Sequence, residues 1–114
     1  MIEQIRPSQL AAWLRNASAN GTTPVVLDVR EAWELQTASV KPHGFTLLHI
    51  PMNAIPARAS ELNRDTPIAC LCHHGGRSQQ VANFLAQSGF TSLANVAGGI
   101  NAWSGELDTS VPRY

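Results

Sequence analysis

Two short, largely apolar runs constrain the fold of this 114-residue chain more than any other feature. They cover residues 24–30 and 67–71, and a segment with helical spacing of apolar residues follows each. A strand that is apolar at every position is typical of a parallel sheet covered on both faces. Segments 2–5, 45–50 and 93–96 are also predicted as strands, with 2–5 at an edge. Alternating strands and helices imply right-handed crossovers. We therefore predict an α/β fold with a central, mostly parallel five-stranded sheet flanked by helices on both faces.

The first helix is predicted from amphipathic spacing after Pro7. Ser8 is its candidate N-cap, and Asn20-Gly21 is a typical end. Apolar residues recur at i, i+3 and i+4, which places Trp13 in the core.

Two later helices are predicted in the same way. The one after the 67–71 strand has a stripe of Val81, Phe84 and Leu85, which we expect to be buried. The last helix turns Trp103 inward, and the tail 112–114 is expected to be loosely docked.

Composition limits the function classes. The length fits one domain, which we place at residues 1–114. Eight basic and eight acidic residues give no basic excess, which argues against nucleic-acid and membrane-surface partners. We find neither a membrane-length apolar run nor a signal-peptide pattern. Two cysteines at C-x-C spacing are not a disulfide framework. We expect a reduced, cytoplasmic domain.

The segment 72–78, Cys-His-His-Gly-Gly-Arg-Ser, joins an apolar strand to a helix. A helix N-terminus offers unpaired N–H groups and partial positive charge, and a tight loop adds an anion-binding nest. Gly75 and Gly76 permit positive φ angles in such a loop. These features favour a thiolate at Cys72 and predict a nucleophilic cysteine rather than a buried structural one. The residues expected to form the cradle, mostly through backbone N–H groups, are His73, His74, Gly75, Gly76, Arg77 and Ser78.

Three residues outside the loop are candidate supporting groups. Asp28 and Arg30 lie at the C-terminal end of the predicted 24–30 strand, where open α/β sheets place functional groups. For both residues we favour a structural role, in which they cap or pair with neighbouring loops. We expect Arg30 to pair with Glu34 or Asp28 and to fix the turn from strand to helix. Arg58 is the third candidate, and a solvated arginine is the simpler interpretation there.

Four motifs together resemble the single-domain rhodaneses. They are Asp-Val-Arg-Glu at 28–31, His-Ile-Pro at 49–51, the loop at 72–78, and Gly-Gly-Ile-Asn-Ala-Trp at 98–103. The resemblance covers roughly residues 5–106. It implies a small α/β fold with a central parallel sheet.

The same resemblance implies a sulfurtransferase. The matching cysteine, Cys72, would take a sulfane sulfur from thiosulfate or a persulfide, which a protein could carry. It would pass the sulfur to cyanide or a thiol. No bound cofactor is needed, because the sulfur travels on the protein.

The loop length separates this activity from phosphatase chemistry. Four residues lie between Cys72 and Arg77, whereas the tyrosine-phosphatase-like cousins of the fold have five and a wider loop for phosphate. We assign Arg77 a structural or electrostatic role, with an acidic partner near the loop. Some members of the family that are selective for thiosulfate carry a basic residue just after the cysteine, where this chain has His73. A persulfide is therefore the alternative donor.

The same residues allow two other interpretations. The first is a metal site, because thiolates and imidazoles bind zinc and the segment holds Cys70, Cys72, His73 and His74. Neighbouring residues on a strand point to opposite faces, however, and the sequence offers no second ligand cluster to complete a tetrahedron. We therefore predict no metal. A non-catalytic, rhodanese-like binding or redox-sensing module is the second, because an exposed thiolate also oxidises readily.

Overall fold

The computed structural model describes residues 2–19 and 21–114. Five parallel strands form one sheet in the order β1-β5-β4-β2-β3. This confirms the predicted five-stranded sheet, with β1 at an edge. The strands are β1 (Glu3–Ile5), β2 (Val25–Asp28), β3 (Thr46–His49), β4 (Ile68–Leu71) and β5 (Leu93–Val96).

Helices cover both faces of the sheet, as predicted. They are α1 (Leu10–Ala17), α2 (Ala32–Thr37), α3 (Ile55–Arg58), α4 (Gly76–Gln87) and α5 (Gly99–Glu106), with 3-10 turns at Pro7–Gln9, Met52–Ala54 and Ala59–Glu61. Within the described part of the chain, no helix is long and apolar enough to cross a membrane.

The core consists of two clusters, one on each face of the sheet, because side chains alternate along each strand. The first core cluster contains Leu27 and Cys70 and packs against α3 and α4. The second core cluster contains Val26 and Leu71 and packs against α1 and α5. The uniform burial of β2 and β4 follows from this two-sided packing.

Two details of the first helix differ from prediction. Ser8 lies inside the 3-10 turn Pro7–Gln9 and is not an N-cap, because α1 begins only at Leu10. The Gln9 side chain accepts the Arg6 N–H at 2.8 Å instead. The helix ends at Ala17, before the predicted stop, of which Asn20 lies outside the described residues.

Two aromatic predictions also need correction. Phe84 is 37% exposed, because the buried stripe of α4 runs through Ser78, Val81, Ala82 and Leu85 at i, i+3, i+4 and i+7. Trp13 is only partly buried and packs at the margin of the second core cluster. Trp103 is buried, as predicted.

The tail is held more firmly than predicted at Val111 and Tyr114, whereas Pro112 and Arg113 between them are exposed. Val111 is buried in the second core cluster, and its carbonyl accepts a hydrogen bond from the Ser104 hydroxyl at 2.6 Å. Tyr114 packs against the same cluster and reaches the loop after β4. Tertiary contacts therefore hold the C-terminal tail in place, although its sequence has neither helical nor strand periodicity.

Candidate active site

Cys72 lies directly after β4 and is 1% exposed. Its Sγ accepts a hydrogen bond from the Gly75 N–H at 3.0 Å, and the Ser78 hydroxyl lies 3.2 Å from it. One backbone N–H and one side-chain hydroxyl therefore face the sulfur. The expectation that the cradle acts mostly through backbone N–H groups is corrected by the part that the Ser78 side chain plays.

The two loop glycines have different roles. Gly75 has φ +106° and is the N-cap of α4, so its left-handed conformation turns the chain from the cysteine into the helix. Gly76 is the first residue of α4 and does not have a positive φ angle. The prediction that this position uses the freedom of glycine is therefore wrong.

The start of α5 supports the loop from behind. The Ile100 N–H donates to the Cys72 carbonyl at 2.8 Å, and the Asn101 N–H donates to the His73 carbonyl at 3.1 Å. Gly99, with φ +59°, makes this approach possible, since a Cβ there would lie 2.4 Å from the His73 oxygen and 2.5 Å from the Cys72 oxygen. The Gly-Gly motif at 98–99 therefore fixes the backbone at the cysteine.

Asn95 is a site residue that the sequence analysis missed. It lies on β5, is 3% exposed, and its Oδ1 accepts a hydrogen bond from the Ser78 hydroxyl at 2.6 Å. Its Nδ2 donates to the Gly75 carbonyl at 3.2 Å and to Gln4 Oε1 at 2.9 Å. A single polar residue inside the apolar run 93–96 was the available signal.

Arg77 pairs with Glu34 of α2. Its two terminal nitrogens donate to the two Glu34 carboxylate oxygens at 2.7 and 2.9 Å, which confirms the predicted acidic partner. The Arg77 hydrogen bonds, offset in part by burial, lower the pKa of Glu34 from 4.5 to about 2. The pair ties the first turn of α4 to α2.

Asp28 and Arg30 form a fully buried ion pair. Arg30 Nε and Nη2 donate to the Asp28 carboxylate at 2.9 and 2.7 Å, and Nη2 also donates to the Ala38 carbonyl at 2.8 Å. The predicted pairing with Asp28 is confirmed, whereas Arg30 reaches Glu34 only at its backbone carbonyl, at 3.3 Å. The pair joins the end of β2 to the turn before α2, which agrees with the predicted structural role of both residues.

An aromatic stack covers the residues after the cysteine. The His73 ring lies between those of His74 and Tyr114, with centroid distances of 3.9 Å on each side. Burial, followed by the neighbouring His74, lowers the pKa of His73, so its neutral form is favoured at pH 7. Tyr114 donates its hydroxyl to Glu34 Oε2 at 2.7 Å and accepts from Arg30 Nη1 at 2.9 Å. It was missed, because nothing in the tail sequence indicates a partner.

Comparison with known proteins identifies the family. The family model described as Rhodanese-like domain matches residues 10–106. The chain belongs to the rhodanese-like family. A rhodanese-related protein of Thermoplasma volcanium is similar in structure, with a TM-score of 0.75 and 30% identity over 92% of this chain and 93% of that one.

Curated relatives of this rhodanese domain include sulfurtransferases. One, from Allochromatium vinosum and named Sulfurtransferase, is 32% identical over 80 residues, covering 70% of this chain and 71% of that protein. Another, Rhodanese-like/PpiC domain-containing protein 12 of Arabidopsis thaliana, is 41% identical over 91 residues, covering 78% of this chain. The chain spans only 30% of that relative and 43% or less of the next three that it matches. The domain therefore also occurs as part of longer proteins.

The remaining candidates lie apart from the rhodanese loop. Arg58 forms a half-exposed ion pair with Glu61, at 2.9 and 3.0 Å, and its described hydrogen bonds include none to the loop. Cys70 is buried, and burial, followed by the charge of Cys72, raises its pKa to about 12, so it is a thiol at neutral pH. Over residues 2–19 and 21–114, no group of three or more His, Cys, Asp or Glu side chains is arranged to hold a metal ion.

Proposed function

We propose that this domain transfers a sulfane sulfur through a persulfide on Cys72. The observation that carries the proposal is the position of Sγ, between the Gly75 N–H at 3.0 Å and the Ser78 hydroxyl at 3.2 Å, where α4 begins. Donors that can reach an anionic sulfur from a helix N-terminus stabilise both a thiolate and a persulfide.

The proposed reaction has two displacements at sulfur. The Cys72 thiolate attacks the outer sulfur of thiosulfate or of a persulfide donor. The donor S–S bond breaks, and sulfite or the donor thiolate leaves with the bonding electron pair. Cyanide or an acceptor thiolate then attacks the outer sulfur on Cys72, and the Cys72 thiolate is released. No net oxidant or reductant is consumed.

The surroundings of the loop support sulfur over phosphate as the transferred group. Both Arg77 nitrogens that a phosphate would need are bound to Glu34. Of the two donors, a persulfide is the better supported, because a neutral, stacked His73 gives no fixed positive charge for thiosulfate. Both cysteines are free, which fits a reducing, cytoplasmic setting for one domain over residues 1–114.

Intact mass after incubation with thiosulfate, or with a small persulfide, tests the proposal directly. We expect the wild-type chain and a Cys70→Ala control to gain one sulfur and to form thiocyanate from cyanide, and Cys72→Ser to do neither. If all three proteins are equally inactive with every donor, the proposed sulfurtransferase activity is wrong. The alternative, a redox-sensing module, gives a different result, namely oxidation of Cys72 without thiocyanate formation.

A further inference from the structure

The Ser78 hydroxyl has one proton and two possible acceptors. Asn95 Oδ1 lies 2.6 Å from Oγ, and Cys72 Sγ lies 3.2 Å from it. A hydroxyl donates once and accepts with its lone pairs. When the proton is on the Asn95 side, Ser78 can only accept from the sulfur, which suits a thiol S–H. When it turns to the sulfur, it stabilises a thiolate, and Asn95 Oδ1 loses its donor.

The orientation of the Asn95 amide is set by its neighbours. Nδ2 donates to two carbonyl-type oxygens, Gly75 O and Gln4 Oε1, so Oδ1 is the atom left to face Ser78. Gln4 in turn donates from its amide to Gln79, and Gln79 Nε2 donates to Asn83 Oδ1 at 3.0 Å. These side-chain amides all donate in the same direction, from Asn95 to Asn83. Reversing Asn95 would place its Oδ1 against two acceptors.

We propose that Asn95 is a positioning residue that acts on Cys72 through Ser78. It holds the Ser78 proton away from Sγ and so favours the forms in which Sγ is not an anion, the resting thiol and the loaded persulfide. The Gly75 N–H donates to Sγ in either case, and the thiolate gains Ser78 as a second donor only when Ser78 turns and its short bond to Asn95 is broken. The domain would thereby keep its unloaded cysteine protonated until a donor arrives, and would retain the sulfur once loaded.

Other titratable and charged groups lie on the elements packed around Cys72, and a test must hold them constant. They come from β4, the loop itself, α4, α2, the strand ends and the tail, and are Cys70, His73, His74, Arg77, Glu34, Asp28, Arg30, His49 and Tyr114. All remain in place in variants of Asn95 and Ser78, so a double-mutant comparison isolates the Asn95–Ser78 contribution.

The pH profile of iodoacetamide alkylation at Cys72, followed by intact mass, tests the inference. In Asn95→Ala we expect a midpoint about one pH unit lower and alkylation about tenfold faster below it, because a freed hydroxyl gives the thiolate one more charge-assisted hydrogen bond. The shift should vanish when Ser78 is already alanine. Asn95→Ser is the second variant should Asn95→Ala fail to fold, and Asn101→Ala, which changes a neighbouring amide on α5, is the matched control.

Three outcomes would overturn the inference. They are an equal shift with and without Ser78, a comparable shift in Asn101→Ala, or lower stability with an unmoved midpoint, which is the result of a purely structural Asn95. The inference deepens the proposed function and rests on the same site, but its readout is alkylation. It can therefore fail while sulfur transfer stands, or hold if thiocyanate assays fail.

Discussion

Cys70 and Cys72 are two residues apart, belong to the same core cluster and are almost equally buried, yet their surroundings differ. Cys70 lies in β4 among apolar side chains, and within the described residues its sulfur has no hydrogen-bond partner. Cys72 lies one residue beyond the strand and faces an N–H and a hydroxyl. Burial alone makes a cysteine unreactive, so the polar groups that the fold brings to the second sulfur decide its chemistry.

Those polar groups come from distant parts of the chain. The loop supplies Gly75, α4 supplies Ser78, and α5 fixes the Cys72 backbone through the close approach at Gly99. None of these elements contributes donors to the Cys70 sulfur. The difference can therefore be removed by changing residues that touch neither sulfur.

The largest expected effect is that of Gly99→Ala. Its Cβ would lie 2.4–2.5 Å from the Cys72 and His73 carbonyl oxygens, so α5 or the loop must move. We expect a loss of about 3 kcal/mol or more in the free energy of unfolding, from steric clash and loss of two backbone hydrogen bonds. Urea unfolding measures the stability, and thiocyanate formation should fall even in the folded fraction, because the donors no longer face Cys72.

Gly76→Ala is the matched control for that prediction. Gly76 has no positive φ, and a Cβ there meets nothing within 4 Å. We expect the free energy of unfolding to rise by about 0.4–1 kcal/mol, because alanine restricts the unfolded chain. Equal destabilisation by both alanines would mean that the close approach at Gly99 does not support the loop.

A smaller effect is expected from Glu34→Gln, which removes the charge that binds Arg77 outside the loop. Glu34 is buried and Arg77 is one-third exposed, so we expect a loss of about 2 kcal/mol at pH 7, after allowing for screening by solvent. The folded-state pKa of Glu34 is about 2, below its ordinary 4.5. The stabilisation is therefore complete above about pH 5.5, falls as the pH drops from 4.5 towards 2, and is absent below.

Urea unfolding of wild type and Glu34→Gln between pH 2 and pH 7 checks that profile. Glu61→Gln is the control, since the Arg58–Glu61 pair is exposed and screened by solvent, so its loss should leave stability nearly unchanged at every pH. A stability difference for Glu34→Gln that does not change with pH would show that the carboxylate charge is not what holds α2 to α4.

The sequence was sufficient for the features that local pattern determines. Continuous apolarity in β2 and β4 predicted a sheet buried on both faces, and the strand–cysteine–glycine–helix order predicted the position of Cys72 and the turn at Gly75. Phe84 was misplaced, because a small residue, Ala82, takes the buried position of α4. Aromatic size alone does not determine which side of the stripe is buried.

Contacts between distant residues were beyond such patterns. Asn95 meets Ser78 across 17 residues, and Tyr114 meets Glu34 across 80. In the sequence, one is a polar interruption of a short strand and the other ends a tail without periodicity. Arg77 was predicted to have an acidic partner, and the structure pairs it with Glu34, whereas Arg30 pairs with Asp28. Competition among ion pairs is settled by tertiary packing, so sequence reasoning could not assign the partners.

The smallest expected effect comes from Cys70→Ala, which tests the inert member of the cysteine pair. Removing a buried sulfur leaves a small cavity, which should lower the free energy of unfolding by about 1 kcal/mol. Because the pKa of Cys70 is raised to about 12, its thiolate is negligible at pH 7, and native alkylation should modify Cys72 alone. Peptide mapping after brief iodoacetamide treatment locates the label, and thiocyanate formation should match wild type, because the Gly75 N–H and the Ser78 hydroxyl still face Cys72. Label on Cys70 in the native protein would show that burial does not make its thiol unreactive. A large loss of activity in Cys70→Ala would show that Cys70 takes part in the chemistry of Cys72.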